Sequence, residues 1–542
     1  MTDQGADKSE VNGSSTKPNS ADTHRIEIQH IQLHDVVSYE GKPRVYTYNE
    51  ALELVGTGRF HTLLLFVCGF CLMSVINETL NMGYIISAAE CDLGLSFSDK
   101  GMLNGAAFCG VVVSSHLWGF LSDTWGRRRV LLLATSCGLL FSVASSFSVN
   151  FWMFTVTRFC VGFFISGNAA TSYAYLAEFH TDKSRAKVIS WAAMFMAVGT
   201  IYLPLMAWLI IPLGADWNLY IEPLGIQYNL WRPYLMLCSL GSVIIIVGML
   251  YLPESGKFLL TTTGEEEKVI QILAKIYRWN CGQPEHTFPV KSIALDAIDS
   301  AFASEMQRKS SLGLRYVWEQ TVPLFQRPLV GNTARAAFLM FGLFIASSGL
   351  MMWMPDILNM YVNYKQSKIT ICQVVEIIHH NRTTPSTAAG ATAAVCSVNI
   401  DSTIFVISTA MGVLFLLCYI LNGAIINLVG KKLLLNIWYV ASGVCGIIAL
   451  WTSDFYLTLL VIVVFLAVGC CGSVLSAISV DLFPTNYRAM ALCLILMTGR
   501  LGAMIGSNLV GFLLTYNCDL IFSLLGSLLI VCALIGTTLP GK

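Results

Sequence analysis

Twelve mostly apolar stretches, each close to twenty residues long, recur along this chain, and a soluble core has no room for them. They lie near 60–80, 102–122, 130–149, 152–176, 188–211, 233–252, 334–354, 404–426, 433–452, 456–478, 488–513 and 518–537. A helix of about 20 residues spans the roughly 30 Å of bilayer hydrocarbon. In that solvent every backbone polar group must pair within its own segment, so the runs read as helices. The composition agrees, with 55% hydrophobic and only 12% charged residues; soluble domains carry about 25% charge. The expected fold class is all-α, a polytopic membrane protein of 12 transmembrane helices in two six-helix halves.

The connections divide the chain. Residues 1–58 are polar and expected to be largely disordered, except that TYNEALELVGTGRF suggests a short amphipathic helix leading into the membrane. Residues 59–252 form the first half and 334–542 the second, separated by a central loop, 253–333. Within that loop, Val269, Ile272, Leu273 and Ile276 have helical spacing. A second long loop, 355–403, follows span seven. Basic residues gather after spans two, four, eight and ten (Arg127, Arg128 and Arg129; Lys183, Arg185 and Lys187; Lys431 and Lys432; Arg488). The positive-inside rule then puts both termini and the central loop in the cytoplasm, and 355–403 on the outer face. There Asn381-Arg382-Thr383 is an N-glycosylation acceptor, and Cys372 and Cys396, which flank it, are candidates to pair. The other cysteines of the 17 lie mainly inside apolar runs, among them Cys68 and Cys71, and read as packing residues.

The strongest local signal joins spans two and three: Gly119-Phe120-Leu121-Ser122-Asp123-Thr124-Trp125-Gly126-Arg127-Arg128-Arg129. Its glycines permit a tight turn, and Asp123 sits at a helix end where it can meet a base. The segment resembles the signature loop of the major facilitator superfamily. Pro253-Glu254-Ser255 after span six, Arg158 and Gly162 in span four and Glu178 at its end resemble the sugar-porter and organic-ion-porter branches. Glu78, Asp99-Lys100-Gly101-Met102-Leu103, Ile189-Ser190-Trp191 and Met194-Phe195 are similar to the synaptic-vesicle glycoprotein 2 group. The resemblance covers almost all of the chain beyond the first fifty residues.

The resemblance implies the major facilitator fold, with two halves enclosing a cavity that opens alternately to either side. It implies gate residues at Gly119, Asp123, Gly126, Arg127, Arg128, Glu178, Arg185, Glu254, Asp481 and Arg488, with Asp123 paired to the Arg127–Arg129 cluster or to Arg488. The second half departs from the pattern, because Asn427 stands where the repeated signature loop would have its acid. Trp191 matches a cavity-lining tryptophan of the vesicle glycoproteins, while span ten lacks their second tryptophan and acid.

Charges at bilayer depth mark the candidate central site. Glu78, Arg158 and Arg500 lie inside apolar runs, where a charge costs at least about 2.5–3.5 kcal/mol unless it faces a cavity or a partner. Glu78 is the candidate proton or cation site, with an inter-helix salt bridge as the alternative role for Arg158 and Arg500. The expected function is secondary transport of a small organic solute by alternating access, driven by a proton or ion gradient or working as a facilitator, in a monomer. The competing expectation is a transporter-like vesicle membrane protein that acts through partners. No cofactor, metal ligand set, nucleic-acid surface or enzyme motif is read in the sequence. The membrane is either the plasma membrane or that of an internal vesicle.

Overall fold

A computed structural model of the protein describes residues 44–212, 219–294, 314–362, 364, 368–383, 400–483 and 485–540. Among the described residues, eleven helices are long and apolar enough to cross a membrane. In chain order these are span one (Arg59–Leu93), two (Phe97–Trp125), three (Arg127–Ser146), five (Asp182–Ile210) and six (Trp231–Tyr251). Span seven (Val330–Met351), eight (Thr403–Val429), nine (Lys431–Ile448), ten (Phe455–Leu482), eleven (Thr485–Tyr516) and twelve (Asp519–Thr537) follow. Span four, Phe151–Glu178, completes the set; its 28 residues exceed the length a crossing needs. Each coincides with one of the apolar runs. Several spans start on a side-chain cap that satisfies a free amide: Ser96 accepts from Asp99 N, Asn150 from Met153 N and Asp454 from Leu457 N.

The segment before the first span packs with the central connection. Thr47 and Glu50 form a capping box that starts the helix Tyr48–Val55. Its neighbour Tyr46–Thr47 pairs in parallel with Ile293–Ala294 of the central connection. The central connection also holds the expected amphipathic helix, Glu266–Cys281, with Val269, Leu273 and Ile276 buried. These pieces form a cap at the face that carries the signature loop, called here the basic face.

Two expectations are corrected. The stretch 355–403 is not simply a loop: helices Met354–Val362 and Ile371–Thr383 occupy much of it. The first of these is buried along Met354, Ile357, Leu358 and Tyr361, so it behaves as a continuation of the span-seven core. Second, Cys372 pairs with Cys518, not with Cys396. The bond ties the helix Ile371–Thr383 to the segment after span eleven, a proximity set by the fold across 146 residues of sequence. Cys396 lies outside the described residues.

Close helix approach builds each half. In the first, Gly110 of span two and Gly162 of span four present bare Cα positions to the other helix's backbone; a Cβ at either would overlap it. In the second, a Cβ on Gly506 of span eleven would lie 2.5 Å from the Ile345 carbonyl of span seven. The halves meet through spans two and eleven, where Gly105 faces Ser507 and Asn508, and through spans five and eight, where Gly412 faces the Thr200 carbonyl. The extension of span one adds Gly83 against Met352.

Candidate functional site

The deepest charged residues form one cluster inside the first half. Glu78 of span one and Arg158 of span four are paired at 3.2 Å, with side chains 2% and 0% exposed. Span three completes the cluster. Ser142 Oγ donates to both Glu78 oxygens at 3.0 Å, and Arg158 donates to Ser142 and Ser145. Three helices are thus fastened by one ion pair in a medium where an unpaired charge is costly. Arg158 Nε and Asn81 Oδ1 are buried with no hydrogen-bond partner among the described residues. The cluster therefore retains polar capacity beyond its own bonds, as a site for a proton or water requires. The two serines were not singled out in the sequence; only their spacing of three on a helix facing two charges would have pointed to them.

A second network lies at the basic face. Gly126 turns the chain at φ 105°, a conformation that favours glycine. Arg127 follows, 3% exposed, and joins Asp123 at 3.3 Å to Glu178 at 3.0 Å. Its guanidinium also lies 5.0 Å from the centre of the Phe258 ring. Glu254 accepts from the backbone amides of Arg128 and Ser255, both at 3.0 Å. Arg128 Nε reaches the Met249 carbonyl, and Arg185 Nε reaches that of Ala177. Tyr48 of the cap donates to the Glu178 carbonyl. The sequence-derived gate residues of the first half are therefore brought together, with Arg127 a partner of Asp123. Gly119 borders open space.

Beside this network, His61 and His180 stack edge-on with ring centres 4.9 Å apart. His61 Nε2 lies 3.1 Å from the Phe179 carbonyl and Nδ1 lies 3.2 Å from Asn280 of the cap helix. Burial, the larger cause, and the charge of Arg185 hold the His180 imidazole below its usual range, against an opposing bond to the Leu176 carbonyl.

The second half repeats the turn but not the burial. Gly430 has φ 89°, and Lys431 pairs with Asp481 at 2.7 Å, with side chains 43% and 53% exposed. The side chains of Asn427, Arg488 and Asn381 lie outside the described residues. Arg500 of span eleven crosses between the halves. Its Nη1 donates to Ser115 of span two at 2.9 Å, and it has no carboxylate partner among the described residues. Trp191 is 47% exposed, with Lys187 4.9 Å from its ring centre. Gly199 of the same span packs on Asn77, so Trp191 sits about 12 Å nearer the basic face than Glu78. The structure therefore separates Trp191 from the Glu78–Arg158 pair.

The family model of the Major Facilitator Superfamily matches residues 64–378. The chain belongs to the Major Facilitator Superfamily. Within the superfamily it is similar to synaptic vesicle glycoprotein 2C of Mus musculus, 32% identical over 325 residues, covering 58% of this chain and 44% of that protein. It is also similar to synaptic vesicle glycoprotein 2A of Rattus norvegicus, 32% identical over 330 residues, covering 58% and 43%. The chain thus spans less than half the length of these curated relatives. Among solved structures, a partially occluded inward-open form of the xylose transporter from E. coli superposes with a TM-score of 0.61 at 14% identity, over 89% of this chain and 100% of that one. A crystal structure of the D-xylose-proton symporter does so at the same TM-score and 16% identity, over 89% and 98%. The superfamily fold is that of a multi-pass, all-helical membrane protein, as the twelve spans require.

Proposed function

We propose that this chain is a secondary transporter that moves a small organic solute by alternating access, with a proton carried at Glu78. The observation that carries the proposal is the Glu78–Arg158 pair, sealed at bilayer depth among three helices of one half. Protonating Glu78 removes the charge that holds Arg158, and so unfastens span one from span four. A buried pair of this kind gives little net stability over apolar packing, which makes a structural role alone a weak reason for its presence. The solved neighbours with this fold include a xylose-proton symporter, which fits the same reading.

The halves touch at the ends of spans two, eleven, five and eight away from the basic face, the face that the positive-inside rule assigns to the cytoplasm. Arg500 favours an anionic solute: it is a half-buried cation at mid-membrane, bonded across the halves to a serine hydroxyl. Plasma membrane and vesicle membrane both fit this reading.

The second reading is a transporter-shaped vesicle protein that moves no solute. It is favoured by the similarity to the synaptic vesicle glycoproteins and by the exposed, weak Lys431–Asp481 pair. Uptake by purified full-length protein in proteoliposomes decides between the two, using a panel of organic anions, sugars and organic cations under an imposed pH gradient. Gradient-driven accumulation of anions, lowered by Arg500→Gln, is the expected result. No uptake of any class by monodisperse protein would favour the second reading.

A further inference from the structure

At the face opposite the basic loops, a second buried ion cluster spans the two halves. Lys100, at the start of span two, is 2% exposed. Its Nζ lies 2.9 and 3.1 Å from the two oxygens of Asp356, on the helix Met354–Val362 of the second half. The same ammonium donates to Glu90 at 3.0 Å, on the extension of span one in the first half. Ser87 of that extension donates to Asp356 Oδ1 at 2.9 Å, and the Phe97 ring centre lies 5.4 Å from the Lys100 ammonium. Around this cluster the backbones are in near contact, with Gly83 against Met352 and Gly101 against Ser507.

We infer that Lys100 and Asp356 are the latch that holds the two halves shut at this face, and that Glu90 keeps the lysine paired once the latch opens. The inference rests on the alternating-access reading. Opening separates Asp356 from both Lys100 and Ser87, and the newly exposed carboxylate passes into water, which solvates it. Lys100 stays in the first half, where Glu90 sits beside it. Without Glu90, opening would strand an ammonium in a largely buried site, a costly state. The two carboxylates around one lysine therefore act in opposite directions: Asp356 stabilises the closed face and Glu90 stabilises the open one.

The test reads accessibility, not transport. Ser507 is fully buried in the seam, so Ser507→Cys reports opening through its labelling by a membrane-impermeant maleimide applied to the face opposite the basic loops. The full-length parent without the reporter gives the background. Asp356→Asn and Lys100→Met are expected to speed labelling by about tenfold, as loss of a coupling of this kind shifts a two-state population. Glu90→Gln is expected to slow it below the parent rate. Asp356→Glu, which preserves the charge, should label near the parent rate and shows that the position tolerates change. Monodisperse elution of each variant secures folding. Parent-like rates in Asp356→Asn and Lys100→Met, or acceleration by Glu90→Gln, would overturn the latch. Labelling that responds as described in a protein that takes up no solute would leave the latch standing and remove the transport reading.

Discussion

The chain makes the same turn twice, at the starts of spans three and nine, and surrounds it differently. Gly126 and Gly430 share a backbone conformation, φ 105° with ψ 150° and φ 89° with ψ 145°. A base follows each, and an acid near the end of the next span pairs with it: Arg127 with Glu178, Lys431 with Asp481. Arg127 is 3% exposed and holds a second acid, Asp123, whereas Lys431 and Asp481 stand 43% and 53% exposed. Geometry was kept while burial was not. The first half thus carries tightly held charge at both the basic face and mid-membrane. At those two levels the second half offers, among the described residues, an exposed pair and Arg500, which has no carboxylate partner. A pair open to water is worth about 0–1 kcal/mol, while breaking a buried one by removing a partner costs about 3–5 kcal/mol. At these two levels the first half therefore depends more on paired charge for its stability than the second does.

The largest effect should come from stranding a buried charge. Arg158→Met leaves Glu78 without its cation and should cost about 3–5 kcal/mol in thermal unfolding of detergent-purified protein. Glu78→Gln together with Arg158→Met should recover most of that loss, because the orphan charge is gone. A double variant as unstable as the single would show that packing, not charge, governs the site.

The comparison itself is sharpened by paired truncations. Arg127→Ala should cost about 2–4 kcal/mol and Lys431→Ala less than about 1 kcal/mol, read by the same unfolding assay. Equal losses would break the contrast between the halves.

A smaller difference should separate the two glycines. Alanine at a positive φ with extended ψ, a region that essentially only glycine occupies, costs about 1–3 kcal/mol at either position. At Gly126 the new Cβ would also sit 2.7 Å from Glu254 Oε2, while at Gly430 it meets nothing within 4 Å. Gly126→Ala should therefore be the more damaging, and a reversed order would argue against the Glu254 contact.

The smallest effect is in pH. His180 is buried with its imidazole held below the usual range, so it is neutral in the folded chain and takes a proton in the unfolded one below about pH 6.5. Its contribution to stability is complete above that pH and is lost as pH falls through it. His180→Gln should make thermal stability less pH-dependent between about pH 7.5 and 5.5. An unchanged slope would remove His180 from the account.

The twelve spans were legible because hydrocarbon demands a continuous apolar run, a constraint local to each segment. The signature-loop turn was legible because glycine, acid and arginine are close in sequence. What stayed hidden depended on partners far along the chain. Glu78 and Arg158 were each visible as charges in apolar runs, but their pairing through Ser142 and Ser145 required the arrangement of three helices. Cys372 had a nearer candidate in sequence than Cys518, and the fold chose the distant one. Lys100 lies in the segment Asp99–Leu103, and nothing in that segment shows that its partner is Asp356, 256 residues away. The helix Met354–Val362 leaves no span signal in the sequence, because its 9 residues are too few for one.

The most direct test of the central claim is solute flux in proteoliposomes containing the Glu78→Gln protein, measured both as exchange without a gradient and as accumulation under an imposed pH gradient. Proton coupling at Glu78 predicts that exchange persists while gradient-driven accumulation is lost. Accumulation equal to that of the unmodified protein would contradict it.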